Sequence, residues 1–267
     1  MAPETQPIGE GHALVAHDGH RSDVHLNRPE KRNAMHEPMI ADLTEAIRTA
    51  ADRDGTRAIT LLGEGPVFSA GMDLQMMHDL TVDDHGGMQD DLNALFDLIE
   101  AVDPPVVAAI AGAAIAGAFE LTLPCDFRVM GEEATYGLFE VKLGVFPTGG
   151  ATQRLPRLVG LSKAKELVLK SDFVDAEEAK TCGLVHEVVP AGEDVDAAAR
   201  DYADALAEHA PLGMARGKQA LNEALDMTLE EGLARESELG LPLYDTADRK
   251  EGFAARLEDR EPTFEGE

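Results

Sequence analysis

The sequence predicts a mixed α/β fold, and three observations lead to that class. From Ala13 to Gly63 the chain alternates two strand-like runs, one amphipathic helix and a third strand, with no linker between them. Beyond Gly150 most patterns are helical. The chain has 267 residues, of which 44% are hydrophobic and 4% aromatic, so one large domain can bury an ample, mainly aliphatic core.

Acidic residues dominate the charged composition. The chain carries 51 aspartates and glutamates against 23 lysines and arginines, a formal net charge of −28. Such a charge disfavours binding to nucleic acid or to an anionic membrane, since both are negative. The acidic residues are spread along the whole chain, and molar salt screens their repulsion within about 3 Å. We therefore predict a protein of a halophilic cytosol, with a moderately acidic mesophile as the alternative.

Neither the cysteines nor the histidines indicate a disulfide or a metal site. Cys125 and Cys182 lack a paired spacing, and no charged and apolar leader opens the chain, which predicts a reduced, cytoplasmic protein. Four histidines fall in the first hairpin, but no cysteine accompanies them and their spacing does not match a helix-borne ligand pair. We predict no metal and exposed hairpin histidines, namely His12, His17, His20 and His25.

The first hundred or so residues can be assigned element by element. A hairpin turns at Asp18-Gly19 between ALVAH and DVHLNRP, and RAITLLG is a buried strand. An amphipathic helix with Pro38 near its start lies between them, and a second core helix is predicted over residues 83–103. The apolar faces of these helices are Met39, Ile40, Leu43, Ala46, Ile47 and Ala50, and Met88, Leu92, Leu95, Phe96, Ile99 and Val102.

Two glutamates interrupt otherwise apolar segments. The run from Val106 to Phe119 has no charged side chain, and Glu120 follows it with leucines on its far side. This run is shorter than the roughly 20 apolar residues that span a bilayer. Glu140 has a similar setting, with apolar residues on both sides. Burying an ionised carboxylate among apolar groups is costly, so the two glutamates predict an acid/base pair with shifted pKa values.

Two strand-to-helix turns offer free backbone amides. VVAAI predicts a short strand that ends at Gly112, and a helix is expected from about Gly117 to Leu123. Met72 stands at a similar turn, where Asp73 is expected to cap a short helix. Two N–H groups that converge on one oxygen would form an oxyanion hole. The alternative for both segments is an ordinary packed or capped turn.

Six segments resemble, in order and spacing, the crotonase superfamily of enoyl-CoA hydratases and isomerases. They are VHLNRPEKRNAM, GPVFSAGMDL, VVAAIAGAAIAGAFEL, CDFRV, YGLFEVKLGVFPTGGATQRLPRLVG and EGFAARLEDREPTFEG, and they extend from Val24 to Gly266. The resemblance implies a spiral of repeated strand-strand-helix units at residues 1–192. It also implies a C-terminal helical region at residues 193–267 that forms a homotrimer, or a hexamer of paired trimers.

The resemblance further implies a reaction and its residues. Water would add reversibly across the double bond of a 2-enoyl-CoA to give a 3-hydroxyacyl-CoA, without a metal or redox cofactor. Met72 and Gly117 match the two oxyanion-hole amides of the family. Glu120 matches the glutamate that helps to activate water, and Glu140 the principal proton donor to C2.

Other positions match substrate or CoA contacts in the superfamily. Thr148 stands where the hydratase pattern has a glycine, and its hydroxyl could narrow the pocket or bind the water. Arg256 and Asp259 replace a phenylalanine and a lysine that precede Arg260 in relatives. The basic residues of the LNRPEKRNAM loop fall where relatives approach the CoA phosphates, although a surface patch also explains them. The predicted contacts are Arg28, Lys31, Arg32, Ala70, Asp73, Leu74, Thr148, Arg260 and Phe264.

Three alternatives to a hydratase follow from the same resemblance. Isomerases commonly lack a glutamate at the Glu120 position, so the presence of both glutamates favours a hydratase. Other acyl-CoA lyases and hydrolases of the superfamily use aspartates, tyrosines or histidines for which no match is found here. A non-catalytic acyl-CoA-binding protein is the third alternative, and it has no reason to keep Glu120 and Glu140 in apolar surroundings.

Overall fold

Ten strands in the computed structural model, which describes residues 4–267, form two sheets. The strands are β1 (Gln6–Ile8), β2 (Ala13–Asp18), β3 (Arg21–Leu26), β4 (Ala58–Gly63), β5 (Val106–Ile110), β6 (Ala113–Ile115), β7 (Phe127–Gly131), β8 (Thr135–Gly137), β9 (Phe173–Val174) and β10 (Glu187–Val189). The main sheet has the order β1-β2-β3-β4-β5-β7-β10, antiparallel as far as β3 and parallel beyond it. The small sheet has the order β6-β8-β9.

Ten α-helices accompany these strands in the described part of the chain. They are α1 (Glu37–Asp52), α2 (Leu74–Asp79), α3 (Val82–Ala101), α4 (Gly117–Thr122), α5 (Ala151–Lys170), α6 (Ala176–Thr181), α7 (Val195–Ala207), α8 (Pro211–Glu223), α9 (Leu229–Gly240) and α10 (Ala247–Glu258). Asp73 caps α2 by accepting from the N–H groups of Gln75 and Met76. A capping box at Thr81 starts α3.

The chain repeats one pattern of two extended segments and a helix. β5 in the main sheet is followed by β6 in the small sheet and then α4, and β7 is followed by β8 and then α5. After β4, Ser69 bridges to Ala114 of β6, so this turn of the chain also reaches the small sheet before α2 and α3. This succession of strand-strand-helix units, ended by C-terminal helices, confirms the predicted fold class.

Helices cover both faces of the main sheet. All six apolar residues predicted for α1 are buried, and so are the five of α3 and the adjoining Val102. On the opposite face, α7 packs through Ala199, Ala203 and Ala207 against a cluster that includes Leu62 and Val107. Alanines bring the α7 backbone close to the sheet. α7, which follows residue 193, therefore belongs to the core of the main sheet. The predicted boundary between a spiral domain at residues 1–192 and a helical region at residues 193–267 stays a prediction.

The hairpin histidines correct one sequence-based expectation. We predicted exposed side chains, but only His20 is exposed, whereas His12 and His17 are half-buried. His25 is 7% exposed, and its Nδ1 lies 2.7 Å from Oε1 of Glu64. The prediction is wrong for His25 because β3 is covered on both faces, and the covering helix α7 comes from a distant part of the sequence.

One short strand was missed. The predicted strand VVAAI is β5, but a further strand, β6, begins directly after Gly112, where the sequence suggested only a turn into α4. In the C-terminal region, the leucines at 221, 225, 229 and 233 are exposed.

Candidate active site

The pairing of β6 with β8 fixes the start of α4. Ala116 follows β6 with φ 56° and ψ −123°, a backbone conformation typical of glycine at the first corner of a type II′ turn. Its N–H donates to the carbonyl oxygen of Gly137, the last residue of β8, at 2.9 Å. Such a conformation costs a non-glycine residue roughly 1–3 kcal/mol. The small sheet therefore holds Gly117, the first residue of α4, in a defined orientation.

Met72 lies beside Gly117. The N–H of Met35 donates to Gly71 and the N–H of Asp73 donates to Met35, both at 2.7 Å, so the segment around Met72 is fixed. A Cβ on Gly117 would lie 3.0 Å from Cγ of Met72. Within residues 4–267, the N–H groups of Met72 and Gly117 donate to no protein acceptor. These two neighbouring amides are available to a bound oxygen.

Glu120 is buried one turn into α4, with 4% of its surface exposed. Its Oε1 accepts from the N–H of Ala151 at 3.0 Å, and the N–H of Gly149 faces the carboxylate. A side chain on Gly149 would place its Cβ 2.9 Å from Oε2 of Glu120, so only glycine fits there. Burial, together with the charge of Glu140, raises the pKa of Glu120 to about 8 despite these N–H donors and Arg154.

Glu140 stands in a short 3-10 turn (Glu140–Leu143) that follows β8. It is 9% exposed, and its Oε2 accepts from the N–H of Phe139 at 2.8 Å. Its Oε1 is buried and has no hydrogen-bond partner among the described residues. Burial raises the pKa of Glu140, and the hydrogen bond from Phe139 partly offsets this effect. An unpaired buried carboxylate oxygen is a position where a water or a substrate group gains a strong hydrogen bond.

Sequence reasoning missed the residues that hold the amides of Gly149 and Ala151. Thr148 does not direct its hydroxyl to a free pocket, because its Oγ1 donates to Oε1 of Gln89 on α3 at 2.8 Å. Arg154 bonds Glu100 and Asp97, also on α3. The glycine pair in PTGGATQR was the one local signal of close backbone approach. The α3 residues that bond Thr148 and Arg154 lie about 50–60 residues earlier in the chain.

A cleft of about 480 Å³ adjoins Met72 and contains part of the predicted CoA contacts. Arg28, Lys31 and Asp73 line it, together with His36, Glu37, Pro38, Gln75 and Met76. Arg28 is occupied by Asp73, whose carboxylate it contacts at 2.8 Å. The exposed Lys31 lines the cleft without an ion pair in the described chain, and Arg32, also exposed, follows it. Of the remaining predicted contacts nearby, Ala70 is half-buried and Leu74 is exposed.

The two C-terminal residues predicted to contact CoA, Arg260 and Phe264, also make contacts within the chain. Arg260 forms a two-point ion pair with Glu251, at 2.6 and 2.9 Å, and also contacts Glu258. The carbonyl oxygen of Phe264 accepts from Arg57 at 2.6 Å, and its ring lies against Gly252. In this structure both predicted residues fasten the C-terminal segment to α10 and to the body of the protein.

Comparison with known proteins identifies the family of this chain. The family described as enoyl-CoA hydratase/isomerase matches residues 22–267. The chain belongs to this family. A probable mitochondrial enoyl-CoA hydratase of Dictyostelium discoideum is 36% identical over 241 residues, 90% of this chain and 86% of that protein. The 2,3-dehydroadipyl-CoA hydratase of Escherichia coli K12 is also 36% identical, over 90% of this chain and 93% of its own.

The fold agrees with solved members of the enoyl-CoA hydratase/isomerase family. The enoyl-CoA hydratase of Bacillus anthracis superimposes with a TM-score of 0.91 at 32% identity, over 96% of this chain and all of that one. The mixed α/β architecture is thus the crotonase fold. No helix within residues 4–267 is both long and apolar enough to cross a membrane. The same residues contain no cluster of three or more metal-ligating side chains.

Proposed function

We propose that this family member is an enoyl-CoA hydratase, which adds water across the double bond of a 2-enoyl-CoA. One observation carries the proposal. Two buried carboxyl groups with raised pKa values, Glu120 and Glu140, lie on the segments that the β6–β8 pair holds together, next to the free amides of Met72 and Gly117. The two carboxyl groups can exchange protons with water and with carbon, and the two amides can bind the thioester oxygen.

The oxyanion hole activates the substrate. In the proposed geometry the thioester oxygen accepts from the N–H groups of Met72 and Gly117, which withdraw electrons from C3 and stabilise the enolate that forms. Losing one such donor typically lowers kcat by about 100- to 1,000-fold. Water adds its oxygen to C3 as Glu120 takes one of its protons. Glu140 then delivers a proton to C2, the enolate collapses to the thioester, and one water has been added.

The proposed mechanism needs one proton on the pair of carboxyl groups, held by Glu140 when water is added. Burial disfavours ionisation of both, and the charge of Glu140 further raises the pKa of Glu120, so ionising one group opposes ionising the other. In the free site the stronger shift places the proton on Glu120. Hydration with Glu120 as base therefore requires this proton to pass to Glu140, and a water between the two groups provides the path. In the reverse reaction, which removes water, the proton starts on Glu120 and Glu140 is ionised.

Surface cations near the cleft support binding of CoA phosphates. Lys31 lines the cleft and Arg32 follows it, and neither side chain is held by an acidic residue in the described chain. In a protein with a net charge of −28, these cations offer local attraction for an anionic ligand. Arg28 acts differently in this proposal, since it fixes Asp73 and through it the start of α2.

Substituting each glutamate tests the proposed function. Hydration of crotonyl-CoA is followed by loss of the conjugated thioester absorbance in concentrated KCl. We expect Glu120→Gln and Glu140→Gln each to lower kcat by about 100-fold or more, because an amide can neither take up nor release the proton. Glu133→Gln is the matched control, since Glu133 is exposed on the loop between β7 and β8.

The same assay separates the alternatives. An inactive wild-type protein that converts a 3-enoyl-CoA to the conjugated isomer would be an isomerase. A protein that binds acyl-CoA and converts neither substrate would be a binding module. Full activity of Glu120→Gln would remove Glu120 from the proposed mechanism while leaving the family assignment intact.

A further inference from the structure

A two-point contact joins α3 to the segment that supplies amides to Glu120. The Thr148 hydroxyl donates to Oε1 of Gln89 at 2.8 Å, and Nε2 of Gln89 donates to the Thr148 carbonyl oxygen at 2.9 Å. Nε2 of Gln89 also donates to Asn93 on the next turn of α3. The Gln89 side chain thus uses both its donor and its acceptor to hold one residue of the loop.

Thr148 is adjacent to Gly149, which has no space for a side chain. Gly149 is wedged between Glu120 and Phe96 of α3, and a Cβ there would lie 2.9 Å from Oε2 of Glu120 and 3.0 Å from the Phe96 ring. Its N–H faces the Glu120 carboxylate and, with that of Ala151, lowers the pKa of Glu120. Three residues beyond Ala151, the first turn of α5 is fastened to α3 again by Arg154, through Glu100 and Asp97. The loop is therefore held to α3 on both sides of the amides that Glu120 uses.

We propose that Gln89 and Thr148 are a positioning pair that sets where the Gly149 and Ala151 amides meet the Glu120 carboxylate. This inference rests on the proposed function only in giving Glu120 a catalytic role. Thr148 is exposed and its hydroxyl bonds to Gln89, so the pair acts through the backbone of Gly149 and not by touching the substrate.

Loss of the contact has a defined consequence at Glu120. The groups that face its carboxylate are Glu140 from the 3-10 turn, Arg154 from α5 and the N–H groups of Gly149 and Ala151. The two amides favour the ionised form, whereas Glu140 and burial oppose it. Weakening the amides shifts the ionisation of Glu120 to higher pH and reduces the fraction that can accept a proton from water.

Four variants test the positioning pair. Gln89→Leu removes both hydrogen bonds, Thr148→Val removes the hydroxyl bond and leaves the one to the Thr148 carbonyl oxygen, Thr148→Ser retains the hydroxyl, and Thr152→Val is the matched control. The hydroxyl of Thr152, four residues along the same segment, only accepts from the neighbouring Gln153. We expect Thr148→Val to lower kcat by about tenfold with KM within twofold, the effect of one lost hydrogen bond, and Gln89→Leu, which loses both bonds, to lower kcat at least as much. The rise of kcat with pH shifts to higher pH, and Thr148→Ser restores both properties.

Backbone amide hydrogen exchange over residues 147–155 gives a readout that needs no activity. Exchange becomes faster in Thr148→Val and Gln89→Leu and is unchanged in Thr152→Val. Unchanged exchange, or a Thr148→Val enzyme with the kcat and pH profile of the wild type, overturns the positioning role. If the wild type hydrates no enoyl-CoA, the proposed function fails, and the exchange result still decides whether Gln89 and Thr148 hold the loop.

Discussion

At the scale of single residues, the site depends on a carboxyl group held where water cannot solvate it. Glu120 is 4% exposed, and backbone N–H groups, not a cationic partner in direct contact, bond to it. Such donors stabilise the anion less than bulk water does, so its pKa rises to about 8. The protein therefore gives up stability at neutral and higher pH to keep a group that can exchange protons there.

The stability of Glu120→Gln should depend on pH. In the unfolded chain Glu120 ionises near its usual pKa of 4.5, but in the folded protein it ionises near 8. The folded state thus binds the extra proton between these values, and wild-type stability falls as pH rises through that window. We expect Glu120→Gln to match the wild type near pH 5 and to exceed its stability at pH 8–9, by a few kcal/mol at most. Urea unfolding across pH measures the difference.

Glu133→Gln serves as the control for that series, because the Glu133 side chain is exposed. A constant difference between Glu120→Gln and the wild type from pH 5 to pH 9 would mean that Glu120 ionises as readily in the folded chain as in the unfolded one.

At the scale of elements, a buried charged group fastens α7 to the main sheet. Asp23 of β3 is 2% exposed and accepts from Arg21 at 2.7 Å, from Thr60 at 2.6 Å and from Arg200 of α7 at 2.8 Å. Arg21 also contacts Asp204 of α7. Burial opposes ionisation of Asp23, but the hydrogen bonds from Thr60, Arg200 and Arg21 hold its pKa below the usual range. These polar contacts hold α7 against the sheet in addition to the apolar packing of its alanines.

Removing Asp23 should loosen α7. In Asp23→Ala the guanidinium of Arg21 remains buried without one of its carboxylate partners, and Thr60 and Arg200 lose theirs, a change that typically costs about 3–5 kcal/mol. We expect a large fall in the free energy of unfolding, measured by urea denaturation, and faster hydrogen exchange in α7. The control is Asp201→Ala, an exposed position on the same helix. Equal stability of the two variants would show that the alanine packing alone holds α7.

At the scale of the whole molecule, two surface properties stand out. The first is the net charge of −28, which is spread over the chain. The second is a set of exposed apolar side chains on the C-terminal helices, of which Leu221, Leu229 and Leu257 are at least three-quarters exposed. Apolar surface of this extent favours association. A homotrimer or hexamer, a cytoplasmic location and a halophilic source stay predictions that agree with these properties.

Salt should stabilise the protein strongly. Raising KCl from about 0.1 to 1 M shortens the Debye length from about 10 to about 3 Å, which weakens the repulsion among the excess acidic side chains. We expect Tm to rise by several degrees over this range and the protein to unfold readily at low salt. Sodium acetate at equal ionic strength is the control for ion identity. A Tm that does not change with salt would contradict the predicted halophilic character.

The sequence pattern was sufficient to predict an element when the residues that determine it lie close together in the chain. The apolar periodicity of α1 and α3, the Asp73 cap of α2 and the hairpin turn at Asp18-Gly19 were assigned from sequence because each involves residues a few positions apart. The setting of Glu120 and Glu140 in apolar runs likewise indicated buried carboxyl groups. Contacts between distant segments had no such signal. The burial of His25 under α7 and the hold of Gln89 on Thr148 are examples.

The sequence by itself determined the fold class and the two buried carboxyl groups, because hydrophobic spacing and the energy of burying charge act along short stretches of chain. Only the tertiary structure decided what surrounds those groups. The pairing of β6 with β8 brings Gly117 and Glu140 onto adjacent segments, and α3 fixes the loop that bonds Glu120. Proton affinity depends on every neighbour in space, so it follows from the assembled fold and not from any one segment.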